Sequence, residues 1–206
     1  MSITTKPYGN DHHGNPTTEY TLTNAHGAYV SILDFGGIVT RIAVPDRAGV
    51  LADVNLGYDD AMAYTSDSGS MGALIGRFGN RIAGSAFTLE GKAYTLTPNN
   101  GKNNLHGGPD GFNLRMWQAA PAQGQGMDTL TLTLVSPDGD QGFPGELRVT
   151  VDYTFDDHNA LGITYRATTD KTTIVNLTNH AYFNLDGHDA PDVCDLMLQV
   201  FADSVT

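Results

Sequence analysis

In Thr129-Leu130-Thr131-Leu132-Thr133-Leu134 every second residue is a leucine and its neighbours are threonines. In Leu147-Arg148-Val149-Thr150-Val151-Asp152-Tyr153-Thr154-Phe155 the odd positions are apolar and the even ones polar. Leu161, Ile163, Tyr165 and Ala167 alternate in the same way with Gly162, Thr164, Arg166 and Thr168. Successive side chains of a strand point to opposite faces, so a period of two rich in β-branched and aromatic residues predicts half-buried strands. The turn-forming clusters Ser136-Pro137-Asp138-Gly139-Asp140 and Asp156-Asp157-His158-Asn159 lie between these runs and predict antiparallel neighbours. Earlier strands are expected at Ala28–Phe35, Val39–Val44, Phe87–Leu89 and Tyr94–Leu96, the last two flanking a hairpin turn at Glu90-Gly91-Lys92. A helical turn or two is expected only at Asp59–Tyr64. Short antiparallel strands and frequent turns, with no internal repeat or linker, predict an all-β fold: a sandwich or barrel in one domain spanning residues 1–206.

A chain of 206 residues with 40% apolar and 17% charged side chains buries a sizeable core and is not a disordered tract. Its 11 basic against 23 acidic side chains give a net charge of −12, which lacks the positive footprint of a partner for nucleic acid or an anionic membrane. The single cysteine, Cys194, excludes an internal disulfide framework and a multi-cysteine zinc site. The start Met1-Ser2-Ile3-Thr4-Thr5-Lys6 lacks the apolar core of a signal peptide, and no later stretch approaches a membrane span, so a soluble, cytoplasmic protein is expected. Nucleotide-cradling glycine motifs and a G-x-S-x-G elbow are absent: Ser68, Ser70 and Ser85 do not have glycines two residues away on both sides. Asp138-Gly139-Asp140-Gln141-Gly142 breaks the calcium-loop pattern, so no metal site is expected there. What remains is chemistry on a small neutral or cationic molecule.

Histidine is the natural acid or base for such chemistry, because its imidazole titrates near neutrality. His12 and His13 sit in a turn-rich N-terminal segment, and His26, His158 and His188 lie beside Gly, Asn or Asp in expected surface loops. His180 is placed differently. Strand alternation through Thr173–Tyr182 puts Thr173, Val175, Leu177, Asn179 and Ala181 on one face, and Asn176, Thr178, His180 and Tyr182 on the other. That second row is a ladder of hydrogen-bonding groups around an imidazole, as a sugar cleft requires; a solvated outer face is the alternative. His106 precedes Gly107-Gly108, where the backbone can turn sharply or approach a ligand, and a loop tip without a partner is the alternative. Arg77, Asn80 and Arg81 offer forked donors suited to paired hydroxyls or a carboxylate, or else structural ion pairs.

Five segments together resemble one family, the aldose 1-epimerases, also called galactose mutarotases. They are Gly76-Arg77-Phe78-Gly79-Asn80-Arg81-Ile82-Ala83, Phe87-Thr88-Leu89-Glu90-Gly91-Lys92-Ala93-Tyr94, and Asn103-Asn104-Leu105-His106-Gly107-Gly108 leading to Gly111-Phe112 and Trp117. Ser136-Pro137-Asp138-Gly139-Asp140-Gln141-Gly142-Phe143-Pro144-Gly145 and Asn176-Leu177-Thr178-Asn179-His180-Ala181-Tyr182-Phe183-Asn184-Leu185 complete the set, in family order over most of the chain. The resemblance implies a large antiparallel β-sandwich of the galactose mutarotase type, with an aldohexose in a cleft on one sheet and no cofactor. It implies that His180 is the general acid toward the sugar ring oxygen and that His106 lies near that oxygen. By the same resemblance Arg81 with Asn80 holds hydroxyls, and Tyr182 neighbours the cleft.

The family's base is a glutamate in its C-terminal part, accompanied there by a sugar-binding aspartate, and no local motif places either carboxylate in residues 1–206. Glu90 and Glu146 fall in motif positions with other roles. The expectation is therefore an N-terminal part of a longer sandwich, ending in a strand near Leu196–Phe201 whose unpaired apolar edge favours self-association, with Cys194 partly exposed beside it. Two rival classes stand beside an epimerase. A non-catalytic carbohydrate-binding β-sandwich fits the missing base, whereas a glycoside hydrolase needs a carboxylate pair that is not found beside His180.

Overall fold

The computed structural model describes residues 2–66, 69–124 and 127–204. The chain opens with a five-stranded antiparallel sheet in sequential order: β1 (Ser2–Asn10), β2 (Pro16–Thr23), β3 (Tyr29–Leu33), β4 (Val39–Pro45) and β5 (Leu51–Asp53). A short helix, α1 (Ala61–Ser66), follows and buries Ala61 and Tyr64. The middle of the chain is a run of two-stranded pieces: β6 (Leu74–Ile75), β7 (Arg81–Ile82), β8 (Ala86–Leu89), β9 (Lys92–Thr95) and β10 (Asn104–Leu105). A second antiparallel sheet, also in sequential order, comprises β11 (Gln118–Ala122), β12 (Met127–Ser136), β13 (Leu147–Asp156) and β14 (Leu161–Thr169). Finally β15 (Thr178–Asn179) returns to pair with β6.

The alternation seen in sequence is what joins the two sheets. On β13 the side chains of Leu147, Val149, Val151, Tyr153 and Phe155 are buried, and between them Arg148 is exposed while Thr150, Asp152 and Thr154 are half-buried. Leu130 and Leu132 of β12 lie on the same inner face. Opposite them, Leu22, Val30, Ile32 and Ile42 of the first sheet complete one apolar cluster, so the sheets stack face to face as a sandwich. Each such side chain contributes about 1.5–3 kcal/mol on burial. Tyr153 keeps its hydroxyl satisfied at the centre by donating to the Gly37 carbonyl at 2.7 Å.

The hairpin expected at Glu90-Gly91 joins β8 to β9 with both residues at positive φ, 50° and 78°, the geometry that matches the twist of the flanking strands. Strands β1, β2, β5 and β11 carried no clean alternation in sequence. β1 is an edge strand with most of its residues exposed, so its sequence has no face to hide; Pro7 is tolerated there for the same reason.

One expected element is corrected. The segment Leu196–Phe201 forms no strand; its backbone finds only local partners nearby, such as Leu196 N–H to Val193 O at 3.1 Å. Apolar alternation does not suffice for a strand, because the ladder groups need a neighbouring chain to bond to, and none of the described residues provides it. Met197, Leu198 and Phe201 are accordingly exposed, at 100%, 88% and 92%, and Cys194 is exposed with them. Among the described residues no helix is long and apolar enough to cross a membrane.

Arg77 ties the middle of the chain to the second sheet. Only 2% exposed, its guanidinium donates to Ser136 Oγ (2.9 Å) and to the carbonyls of Ser136, Pro137, Pro144 and Gly145 (2.7–3.0 Å). Removing it strands several buried acceptors at a cost of about 1–3 kcal/mol each. Arg77→Ala should therefore lower the unfolding free energy by about 3 kcal/mol or more. A urea denaturation that shifts by less than about 1 kcal/mol would show the network to be dispensable.

Candidate active site

Three segments meet beside β6. The loop Gly76–Asn80 enters β7, the loop after β10 carries His106, and the stretch Asn176–Tyr182 runs past both. Asn176 and the first loop are stitched together by Asn176 N–H to Arg77 O (3.0 Å) and Gly79 N–H to Asn176 O (2.8 Å). His180 is held on both sides by backbone bonds, its own N–H to Ala73 O (2.9 Å) and Gly72 N–H to its carbonyl (3.0 Å). The His106 loop closes on the first segment where Gly107, at φ +93°, lies flat against Gly76; a Cβ there would sit 1.9 Å from the Gly76 carbonyl oxygen, so only glycine fits.

These constraints place His106 and His180 together, 74 positions apart in sequence, with ring centroids 5.1 Å apart and the rings nearly perpendicular. They share a cleft of about 610 Å³ with Gly79, Asn80, Arg81, Asn176, Thr178, Asn179 and Ala181. Tyr182 stands beside it, its ring centroid 5.2 Å from that of His180 and its hydroxyl donating to Gly69 O at 3.3 Å. His106, His180, Asn80, Arg81 and Tyr182 thus fall in or next to one cleft. The polar-face assignment holds for Asn176, Thr178 and His180. Asn179 and Ala181 border the cleft as well, but the Asn179 side chain keeps to the inner face beside the buried Tyr153, donating to Gly72 O at 2.9 Å and accepting from the Ala181 N–H at 2.9 Å.

His106 has its tautomer set by the backbone. The Asn80 N–H donates to His106 Nδ1 at 2.9 Å, so Nδ1 is an acceptor and the neutral ring carries its proton on Nε2. His106 N–H returns a bond to Asn80 O at 3.1 Å. Both residues adopt positive φ, 55° and 67°, which brings the two loops into this mutual grip. Asn80 Oδ1 in turn accepts from the Arg81 N–H at 2.9 Å.

The other candidates lie elsewhere. Arg77 is structural, as described above. Glu90 accepts from Thr172 Oγ1 at 3.1 Å and Glu146 sits beside Arg148 at 3.9 Å, both away from the cleft. Asp140 is engaged by Arg115 at 2.7 Å and by the Ser136 hydroxyl, and Asp138 by Lys171. No carboxylate lines the cleft among the described residues, and no group of three or more His, Cys, Asp or Glu is arranged for a metal among them. The chemistry available is one imidazole held as a donor, a second imidazole facing it, and a guanidinium with amides around an open space of sugar size.

The profile of the aldose 1-epimerase family matches residues 18–206. The chain belongs to the aldose 1-epimerase family. It is 44% identical over 190 residues to the aldose 1-epimerase of Escherichia coli (strain K12), a match covering 92% of this chain and 54% of that protein. It is 41% identical over 204 residues to the galactose mutarotase of Bos taurus, covering 99% of this chain and 58% of the other. Among solved structures, the galactose 1-epimerase from Lactobacillus acidophilus NCFM superposes with a TM-score of 0.80 at 28% identity, over 90% of this chain and 54% of that one. An aldose epimerase homologue from C. elegans gives 0.75 at 37% identity, over 81% and 50%. The chain spans about half the length of the curated relatives it matches.

Within this family member, burial, the neighbouring His180 and the Arg81 charge hold the His106 imidazole below its ordinary value of 6.5. A folded value below the unfolded one means that the unfolded chain binds the proton more readily. The environment is therefore neutral to stability well above pH 6.5 and destabilising as the pH falls through that value. In a ¹H–¹⁵N titration His106 should titrate below 6.5 and show the Nε2–H tautomer at neutral pH, and Arg81→Ala should raise its titration point. A midpoint above 6.5, or the Nδ1–H tautomer, would contradict this geometry.

Proposed function

We propose that this chain carries the acid and sugar-positioning side of an aldose 1-epimerase site, acting on aldohexoses such as galactose and glucose. The observation that carries the reading is the pair of imidazoles 5.1 Å apart in one cleft, with Arg81, Asn80 and a row of amides and hydroxyls around them. A sugar ring presents many hydroxyls and one ring oxygen, and such a lining matches that demand for placed donors and acceptors.

On this reading His180, protonated, gives its proton to the ring oxygen while a base takes the proton from the anomeric hydroxyl. The bond between C1 and the ring oxygen breaks, leaving an open-chain aldehyde with a hydroxyl at C5. Rotation about C1–C2 presents the other face of the carbonyl. Closure with reversed proton roles returns the proton to His180 and yields the other anomer. His106, fixed as an Nε2–H donor, holds the ring oxygen in reach, and Arg81 with Asn80 holds hydroxyls. Tyr182 packs behind His180 and limits its rotation. The base is assigned to a carboxylate outside the described residues, since the cleft as described has none. The same fact favours a second reading for the chain by itself, a sugar binder without turnover.

Polarimetry on fresh α-galactose separates the two. The 206-residue chain should bind galactose yet accelerate mutarotation little, whereas a family-length protein carrying this sequence should turn it over. In that longer protein His180→Asn should lower kcat about 10²–10⁴-fold with binding and fold largely retained. Near-normal turnover by the His180 variant would assign the acid to another group, and full activity of the 206-residue chain would place a base within it.

A further inference from the structure

Arg81 differs from the other paired arginines in what holds it. Arg41, Arg115, Arg148 and Arg166 each face a carboxylate, and Arg77 is enclosed by carbonyls. The Arg81 guanidinium instead rests on two amide oxygens: Nε donates to Asn100 Oδ1 at 3.1 Å and Nη1 to Asn80 Oδ1 at 3.4 Å. The Nη2 protons have no protein acceptor among the described residues. An acceptor at Nε and another at one Nη set the plane of the fork, and because both are neutral amides they leave its charge uncancelled.

Asn100 is itself held in place. Its N–H donates to Asn103 O and its carbonyl accepts from Asn103 N–H, both at 3.0 Å, in a tight turn. The adjacent Asn99 side chain brackets Leu105, accepting from its N–H at 2.7 Å and donating to its carbonyl at 2.9 Å, immediately before His106. The turn that presents Asn100 to Arg81 is therefore the one that braces the His106 loop.

We propose that Asn100 is a positioning residue of this site, setting the plane of the Arg81 guanidinium so that its outer N–H groups meet sugar hydroxyls. The role rests on the sugar-cleft reading above. It follows that the Asn100 side chain acts on ligand affinity through Arg81 alone. The choice of amide over carboxylate keeps the full positive charge available to an uncharged ligand.

The test is titration of D-galactose into the 206-residue chain, by calorimetry, with the Arg81 Nε–H resonance followed by NMR. Asn100→Ala should weaken galactose binding about tenfold, the effect of one hydrogen bond to a charged group. It should leave the thermal midpoint unchanged and move the Arg81 Nε–H signal toward rapid solvent exchange even without sugar. Asn100→Asp, which keeps an acceptor oxygen in place, should recover most of the protection of that signal. In an Arg81→Ala background Asn100→Ala should add no further loss. Wild-type affinity in Asn100→Ala, an additive loss in the double variant, or an unchanged Nε–H signal would each overturn the role of Asn100 while leaving the sugar cleft intact. Absence of any galactose binding by the unsubstituted chain would instead refute the sugar-cleft reading, and this role with it.

Discussion

The buried guanidinium of Arg77 is the joint on which the site hangs. A permanent charge removed from water is tolerated only where its donors are met, and here four carbonyls and a hydroxyl from the β12–β13 connection surround it. Burial pushes this guanidinium below its usual range, and the nearby Asp140 opposes the shift. The same residue offers its carbonyl to Asn176 N–H, so one side chain and its own peptide fasten the Gly76–Asn80 loop to the second sheet on one side and to the His180 segment on the other. Asn80 and Arg81 follow within four residues, and His106 is held by Asn80. A shift at Arg77 would reach Asn176 through a direct hydrogen bond, and Asn80, Arg81 and His106 through the few intervening backbone residues and the bonds Asn80 makes.

Rigidity here comes from backbone geometry more than from long elements. The pairings β6–β15 and β7–β10 are two residues each, too short to be stable alone. They are held by the sandwich behind them and by close backbone approaches, of which the Gly107–Gly76 contact is the tightest. Loops on a rigid scaffold can bring together groups from distant parts of the chain, as His106 and His180 show.

The polar character of the site follows from a division of labour within an acidic protein. Asp110, Asp140 and Asp152 are engaged with arginines and Asp138 with Lys171, away from the cleft. The cleft itself is left with amides, imidazoles and the uncancelled Arg81. The lining thus offers donors and acceptors without a carboxylate among the described residues.

By itself the sequence pattern determined an all-β fold, a sandwich or a barrel, and the family resemblance pointed to the sandwich. Alternation in Thr129–Leu134, Leu147–Phe155 and Leu161–Ala167 specifies which face of β12, β13 and β14 is buried, because a one-residue slip would turn every leucine outward. The motif segments were legible as well, since glycine and asparagine at positive φ, as at Asn80 and Gly107, are demanded by local backbone sterics. Edge strands such as β1 escaped notice because most of their residues are exposed on both faces, which leaves no apolar face to alternate with a polar one. The strand expected at Leu196–Phe201 failed because pairing depends on a neighbour that local pattern does not encode. Only the tertiary structure decided that the His106 and His180 rings stand 5.1 Å apart, that Nδ1 of His106 is an acceptor, and that Asn100 holds Arg81. Each of these is a distance between residues far apart in the chain or a hydrogen bond between loops. Such geometry is set by how the sheets pack and where their connections cross, and no local period carries it.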